Sequence, residues 1–354
     1  MSVKDLRGLQ LMKALCLEFG PSGCEGRVAK LILENIEGTY DELIPDNMGA
    51  VIALVRGSGE SSERLMMSCH MDEVGFMVRH IEDNGLIRFS SMMGGDTRIM
   101  AGRRVTVGMG DRLVRGVISM KPLHLVTERD ASADMDELYI DIGAKDKEEA
   151  EKHVHIGDFG TFESDFVRFG ENDKFIKAKA IDDRLGCAVM CDMLHALRES
   201  GKKLPFDVYF AFTCKEELGL SGARCAAHKI RPTKALVLES TAVGNMHGTP
   251  KAKRVAERGE GGVVSIMDRG TIYDRKLTDH ILDTAKKHGI PCQIKKFISG
   301  GNDAMHIHKE AAGCACAVIS APSCYIHTAS NVIAACDYEN IYNLALMAVS
   351  ELEA

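Results

Sequence analysis

The chain has 354 residues, which at roughly 150 residues per domain suggests about two domains, and its 45% apolar and 27% charged side chains suit a soluble protein with a sizeable core. Lysine plus arginine (44) against aspartate plus glutamate (51) leaves a formal charge of −7, which removes the electrostatic basis for a dedicated nucleic-acid or anionic-membrane binder. Tryptophan is absent and aromatics make up only 5%, so the flat surfaces on which bases or sugars stack are scarce.

Residues 4–19 carry apolar positions at helical spacing (Leu6, Leu9, Leu11, Leu15) and stop at Gly20-Pro21. Charges interleave with apolar residues there, so the segment reads as an amphipathic helix and not a secretory signal. Strand-like runs follow at 51–55 and 64–69. From about 73 to 165 the texture becomes β-type: runs at 75–81, 86–89, 104–107, 113–120 and 138–142 are punctuated by Asn84-Gly85, Gly94-Gly95 and Gly108-Met109-Gly110, with one short helical pattern at 148–153. Beyond 165 the rhythm alternates. Helical patterns at 183–199, 221–229, 277–289, 303–312 and 338–352 are interleaved with strand patterns at 206–213, 234–239, 262–267, 291–297 and 314–319. Such alternation predicts an α/β unit with a largely buried sheet. The expected organisation is therefore discontinuous: residues 1–72 plus 165–354 as one α/β unit, interrupted by a β-rich insertion at 73–164.

Four strand-like runs end in, or lead into, a histidine or a carboxylate. The first is Ser68-Cys69-His70-Met71-Asp72. Residues two apart on an extended chain share a side, so His70 and Asp72 can cooperate, with His70 on a metal and Asp72 on its other ring nitrogen; a surface pair at a turn is the plain alternative. Asp182-Asp183 opens the helix at 183–199, where an N-cap is the ordinary role for Asp183. The apolar strand ending at Cys214 emerges at Glu216-Glu217, two adjacent carboxylates that need a cation or a solvated loop. Glu239 terminates another apolar strand, and His327 follows the strand at 314–319. The carboxyl edge of an α/β sheet is where such sheets build sites, and a His/Asp/Glu set without cysteine suits catalytic zinc, cobalt or manganese.

In this order, His70-x-Asp72, Asp182, Glu216-Glu217, Glu239 and His327 resemble the dinuclear metallopeptidases of the glutamyl aminopeptidase and tetrahedral aminopeptidase family, some of which have been labelled endoglucanases. Phe19-Gly20-Pro21-Ser22-Gly23, Gly94-Gly95-Asp96, the segment 121–125 and Gly300-Gly301-Asn302-Asp303-Ala304 resemble it too. The resemblance implies a three-layer αβα fold with an inserted barrel-like dimerisation domain, and two divalent ions per subunit. Asp182 would bridge the metals, His70 and Glu239 completing one site, Glu217 and His327 the other. Glu216 would be the general base for a metal-activated bridging water, and Asp72 would orient His70. The implied activity is removal of N-terminal residues from peptides with a free N-terminus, by a cytoplasmic homo-oligomer built from dimers into a tetrahedral dodecamer. Glu239 stands where the family more often has Asp, and Asn302 where Thr is more usual.

The same residues admit other readings. A glycosidase would use a carboxylate pair but commonly stacks sugars on aromatics, and it would leave His70 and His327 without a role. A non-catalytic scaffold of the same fold would be expected to have lost a ligand. His306 and His308 diverge on a helix and fit structural roles better than a metal pair, and His124 in the insertion is a candidate to reach a neighbouring site. The twelve cysteines show no CxxC pair and read as reduced thiols, Cys314 and Cys316 as small core residues.

Overall fold

The computed structural model describes residues 2–92, 96–122, 124, 134–244 and 248–353. Its centre is an eight-stranded mixed sheet in the order Glu42–Ile44, Val51–Val55, Asp207–Thr213, Arg64–His70, Lys234–Ala242, Ala315–Ser323, Gly262–Val264, Cys292–Ile294. The four strands from Asp207–Thr213 to Ala315–Ser323 run parallel. Neighbours at both flanks reverse direction.

The four parallel strands are buried on both faces, which is why they read as continuous apolar runs. Period-2 alternation then divides them between two cores. Leu65, Met67, Phe210, Phe212, Leu236, Leu238 and Ile319 face the core under helices Gly8–Leu17, Ile181–Ser200 and Ala335–Ser350, while Met66, Ala211, Ala235, Val237 and Val318 face that under Ser221–Ile230. The result is helix, sheet, helix. None of the described helices is long and apolar enough to cross a membrane.

The insertion forms a closed six-stranded antiparallel barrel, ordered Phe76–Ile81, Ile87–Ser91, Tyr139–Asp141, Arg112–Ser119, Arg104–Met109, Phe159–Phe162. It has its own core of Phe76, Val78, Ile87, Phe89, Val105, Val107, Ile118 and Ile140. Closure leaves no open sheet edge there.

Several elements differ from their sequence expectation. The helix expected over 4–19 is a short turn at Val3–Asp5 followed by Gly8–Leu17. Gly26–Ile36 is a helix that the pattern reading passed over, although Val28, Ile32 and Ile36 recur every four residues and are buried. The expected helix at 303–312 shrinks to Ala304–Ile307; the His308 ring bonds back to the Ala304 carbonyl and Ala311 turns left-handed, so the chain leaves the helix to enter its strand. The strands expected at 262–267 and 291–297 contract to Gly262–Val264 and Cys292–Ile294 at the sheet's edge. A three-stranded sheet of Val167–Phe169, Phe175–Ala178 and Asn331–Ala334 was not anticipated.

Candidate metal centre at the carboxyl edge of the sheet

His70 is the last residue of its strand and pairs in register with Thr213, the last residue of Asp207–Thr213. The next turn carries Glu216 and Glu217. Glu239 lies on the adjacent strand opposite Ser320, and the strand containing Ser320 leads on to His327. Parallel register therefore delivers four of the expected ligands to one edge. Asp182 arrives from the other side, where the chain enters the long helix Ile181–Ser200.

Asp182 sits between two histidines. Its Oδ1 is 3.4 Å from His70 Nε2, and its Oδ2 is 3.2 Å from His327 Nε2. Glu239 Oε1 stands 3.4 Å from the same His70 nitrogen, and Glu217 Oε1 3.5 Å from that of His327. Two donor sets, His70/Asp182/Glu239 and Asp182/Glu217/His327, thus share one carboxylate, and in each the ligand atoms lie within 4.8 Å of one another. His70, Glu216 and Glu217 form a third such group. His70 Nε2 and Asp182 Oδ1 are buried with no hydrogen-bond partner among the described residues. Buried orphan donors facing each other at these separations, in an all-imidazole and carboxylate set, fit divalent cations.

The electrostatics say the same. Burial, reinforced by neighbouring carboxylates, pushes Glu217 and Glu239 up to about 8, and Glu216 also well above the carboxylate range. Burial opposes ionisation of Asp182 as well, yet the facing His327 and His70 imidazoles hold it below its usual value. His327 rises to about 9 because Asp182 and Glu217 outweigh its own desolvation. The cluster holds more negative charge than the chain itself neutralises.

Asp72 is wholly buried and meets His70 twice. The His70 Nδ1 hydrogen bond goes to the Asp72 backbone carbonyl at 3.1 Å, and the carboxylate stands beside the same nitrogen at 3.6 Å. That carboxylate also accepts from Ser22 Oγ at 2.5 Å and from the amides of Glu216 and Glu217 at 3.0 and 3.1 Å. Asp72 therefore anchors the turn that presents both glutamates. Asp183 behaves as an N-cap, accepting from Gly186 N, and its other oxygen accepts from the His70 amide. Glu239 uses its extra methylene to reach His70 while also accepting from the amide of Ser240.

The supporting shell carries residues to which pattern reading gave no role. Arg184 is fully buried and donates to the carbonyls of Met71, Leu15 and Gly20, tying the first helix to the loop behind His70. A Cβ at Gly20 would lie 2.8 Å from that guanidinium, so only glycine fits. Glu73 pairs with Lys179 at 2.5 Å and with Arg184 at 3.5 Å, and accepts from Thr161 of the barrel. Asp303 accepts from Thr213 Oγ1 at 2.6 Å, and Asn302 donates to Asp268 and to the Tyr273 hydroxyl. Backbone strain marks the site as well: Ala180, Lys215, Tyr325 and His327 are non-glycine residues in the left-handed region, each within two positions of a candidate ligand or part of one.

A cavity of about 330 Å³ opens onto these groups, lined by Asp182, Glu216, Glu217, Glu239 and His327 together with Lys295, Ser299 and Asn302. Outside it lie His124, which is exposed, and the His306/His308 pair. Gly94 and Gly95, and most of the loop that follows Lys121-Pro122, fall outside the described residues.

The profile of the family described as M42 glutamyl aminopeptidase matches residues 49–344. A lysyl aminopeptidase from Pyrococcus furiosus is 32% identical, the alignment covering 97% of each chain. A TET aminopeptidase from a marine sediment archaeon of the Thaumarchaeota superposes with a TM-score of 0.93 at 34% identity, over 98% of this chain and 96% of that one. The TET1 peptidase of Pyrococcus horikoshii, which can assemble into a tetrahedron or a large octahedral shell, gives 0.87 at 31%, over 97% of this chain and 99% of that one.

Proposed function

The chain belongs to the M42 glutamyl aminopeptidase family and is a peptide-bond hydrolase of the aminopeptidase type; on that premise we propose that it uses two divalent cations held around Asp182 to remove the N-terminal residue of oligopeptides. The observation that carries this reading is the single carboxylate whose two oxygens face two histidines, each histidine backed by its own glutamate. His70 and Glu239 would complete one site, Glu217 and His327 the other. Zinc, cobalt and manganese all suit these ligands. When bound, such a pair lowers the pKa of water and polarises a carbonyl oxygen.

The chain's own residues supply the rest. Glu216 lines the cavity beside the ligands, on the turn whose two amides are anchored by Asp72. Its carboxylate takes the proton of the attacking water and delivers it to the nitrogen of the leaving amine, as a base that becomes an acid. Burial beside Glu239 and Asp303 lifts Glu216 well above the usual carboxylate range, which favours its holding the proton it has taken. Surplus carboxylates at the same edge attract the α-ammonium of a free N-terminus. By likeness to the TET structures the protein is a homo-oligomer, the tetrahedral dodecamer being the proposed form, with the barrel as its dimerisation element; its free thiols fit the cytoplasm.

The test is hydrolysis of aminoacyl p-nitroanilides by protein reconstituted with zinc, cobalt or manganese, beside soluble cellulose as a glycosidase control. Glu216→Gln should keep its metal content and lose turnover by a factor of roughly 10² to 10⁴. Near-normal turnover in that variant would sink the mechanism, and cellulose cleavage would sink the function.

A further inference from the structure

All twelve cysteines are free, and among the described residues two pairs of them bring their sulfurs within hydrogen-bond range. Cys69 and Cys187 lie 3.5 Å apart behind His70, but both are sealed in the core, 1% and 0% exposed, where a dissolved reagent does not reach. Cys314 and Cys316 lie 3.6 Å apart at the other end of the sheet, where the strand Ala315–Ser323 begins. Cys316 is the small core residue expected of it. Cys314 is not: it is half-buried and follows three exposed residues, Ala311, Ala312 and Gly313.

The spacing suits closure of a bond between the two sulfurs. Residues two apart on an extended chain share a side and stand roughly 6.6 Å apart at Cα, within the span of roughly 4.4–6.8 Å that a disulfide bridges. The backbone is fixed around them, the Cys314 amide bonding to the His308 carbonyl and the Ala315 amide to the Thr233 carbonyl. Apart from Cys316, the Cys314 sulfur touches only the Ile307 carbonyl, at 3.7 Å. The hydrogen bond between the thiols also divides their roles. It lowers Cys314 below the usual thiol value against the pull of burial, and together with burial it raises Cys316 well above that value. Since the thiolate is the nucleophile, the accessible sulfur is the reactive one and the buried sulfur keeps its proton.

We infer that Cys314 and Cys316 form a redox-active dithiol site that a hydroperoxide converts to an intrachain disulfide, Cys314 reacting first and Cys316 closing the bond. The Cys314 thiolate attacks one peroxide oxygen and the O–O bond breaks. Cys314 becomes a sulfenic acid, and the hydroxide that leaves is neutralised by the proton Cys314 gave up. The Cys316 sulfur then attacks the sulfenic sulfur, the S–O bond breaks, and water leaves with the Cys316 proton. Two thiols together lose two electrons and two protons, and the peroxide becomes two waters. Closure shields Cys314 from the irreversible sulfinic step, and a dithiol reductant reopens the bond. The site lies at the end of the sheet away from the ligand cluster, so the inference is independent of the peptidase reading.

The experiment exposes the reduced full-length protein to hydrogen peroxide, blocks the remaining thiols with N-ethylmaleimide and maps the digest by mass spectrometry. Cys314 and Cys316 should lose their label together, on a peptide lighter by two hydrogens, before the exposed Cys225 and Cys336 react. Dithiothreitol should restore both labels. In Cys316→Ser, dimedone should trap Cys314 as the sulfenic acid, and without dimedone Cys314 should go on to a sulfinic acid that dithiothreitol does not reverse. In Cys314→Ser, Cys316 should keep its label throughout. Full labelling of the pair after Cys225 and Cys336 have reacted would overturn the inference, as would a disulfide joining either residue to another cysteine. So would sulfinic Cys314 forming as readily in the parent protein as in Cys316→Ser. If Cys316→Ser does not fold, the parent map and Cys314→Ser, at the half-buried position, still decide.

Discussion

Two charged clusters lie side by side beneath the cavity, built from nearly the same stretches of chain. One is Glu73 with Lys179 and Arg184; the other is His70, Asp182, Glu217, Glu239 and His327. Both are largely buried, and Asp72 precedes Glu73 directly, as Lys179 precedes Asp182 by three residues. The first pairs its one carboxylate with two cations and satisfies both its oxygens within the chain. The second leaves a buried imidazole nitrogen and a carboxylate oxygen orphaned, and drives two glutamates up to about 8. Burial of charge is tolerable only when it is compensated. A closed ion network is what the chain makes for structure, and an open one is what it makes for something else to complete.

The sharpest way to break this contrast is at Asp182. Asp182→Ala removes the one residue common to both donor sets, and aminopeptidase activity together with bound metal, read by elemental analysis, should fall to background. Retention of both ions would mean that the clusters do not differ as described. In the closed cluster the loss should appear as stability instead: Lys179→Met leaves Glu73 short of its nearest cation and should cost about 3–5 kcal/mol in denaturant unfolding. Replacing Glu73 and Lys179 together by methionine should recover part of that, because the remaining buried charge, Arg184, loses its carboxylate but keeps the carbonyls of Met71, Leu15 and Gly20. A double variant no better than the single one would show that the pair does more than neutralise itself.

The barrel offers a milder control. Asp158 is buried and accepts two bonds from Arg112 and one from the His155 amide; these outweigh its burial and hold its carboxyl below the usual 3.8. A folded-state value below the unfolded one means that the contribution is whole above about pH 4. It is lost as pH falls through the folded value. Asp158→Asn should therefore lower the melting temperature by a few degrees at pH 7, the difference from the parent protein narrowing toward pH 3. A difference that does not change with pH would show that the charge of Asp158 is not what matters.

Much of the site was legible from residue order because parallel strands end where ligands begin. An apolar run terminating in His70, or emerging into Glu216-Glu217, announces a strand leaving the core at the sheet's carboxyl edge, whereas Glu239, expected to end its strand, is followed by three more strand residues to Ala242. Asp183 was legible as a cap for the same local reason. Asp72 was legible as a partner of His70 but not as the acceptor for the Glu216 and Glu217 amides. That bond joins residues 144 and 145 positions apart, and no local pattern encodes it. Lys295 was invisible for a related reason. A lysine after a short edge strand looks like a solvated residue until its ammonium is found half-buried on the cavity wall, bonded to the Ser299 carbonyl.

Composition and pattern by themselves determined the α/β rhythm, the interrupting β-rich segment and the kind of chemistry that histidine and carboxylate ligands support. These follow from period-2 and period-3.6 burial and from side-chain donor types, both local properties of the chain. Tertiary structure decided which charges are paired and which are left open, because pairing depends on strand register and on distances between residues far apart in sequence. It set the Asp72 carboxylate under the Glu216 and Glu217 amides, closed Glu73 onto Lys179, and left the oxygens of Asp182 facing two histidines that lie more than two hundred residues apart.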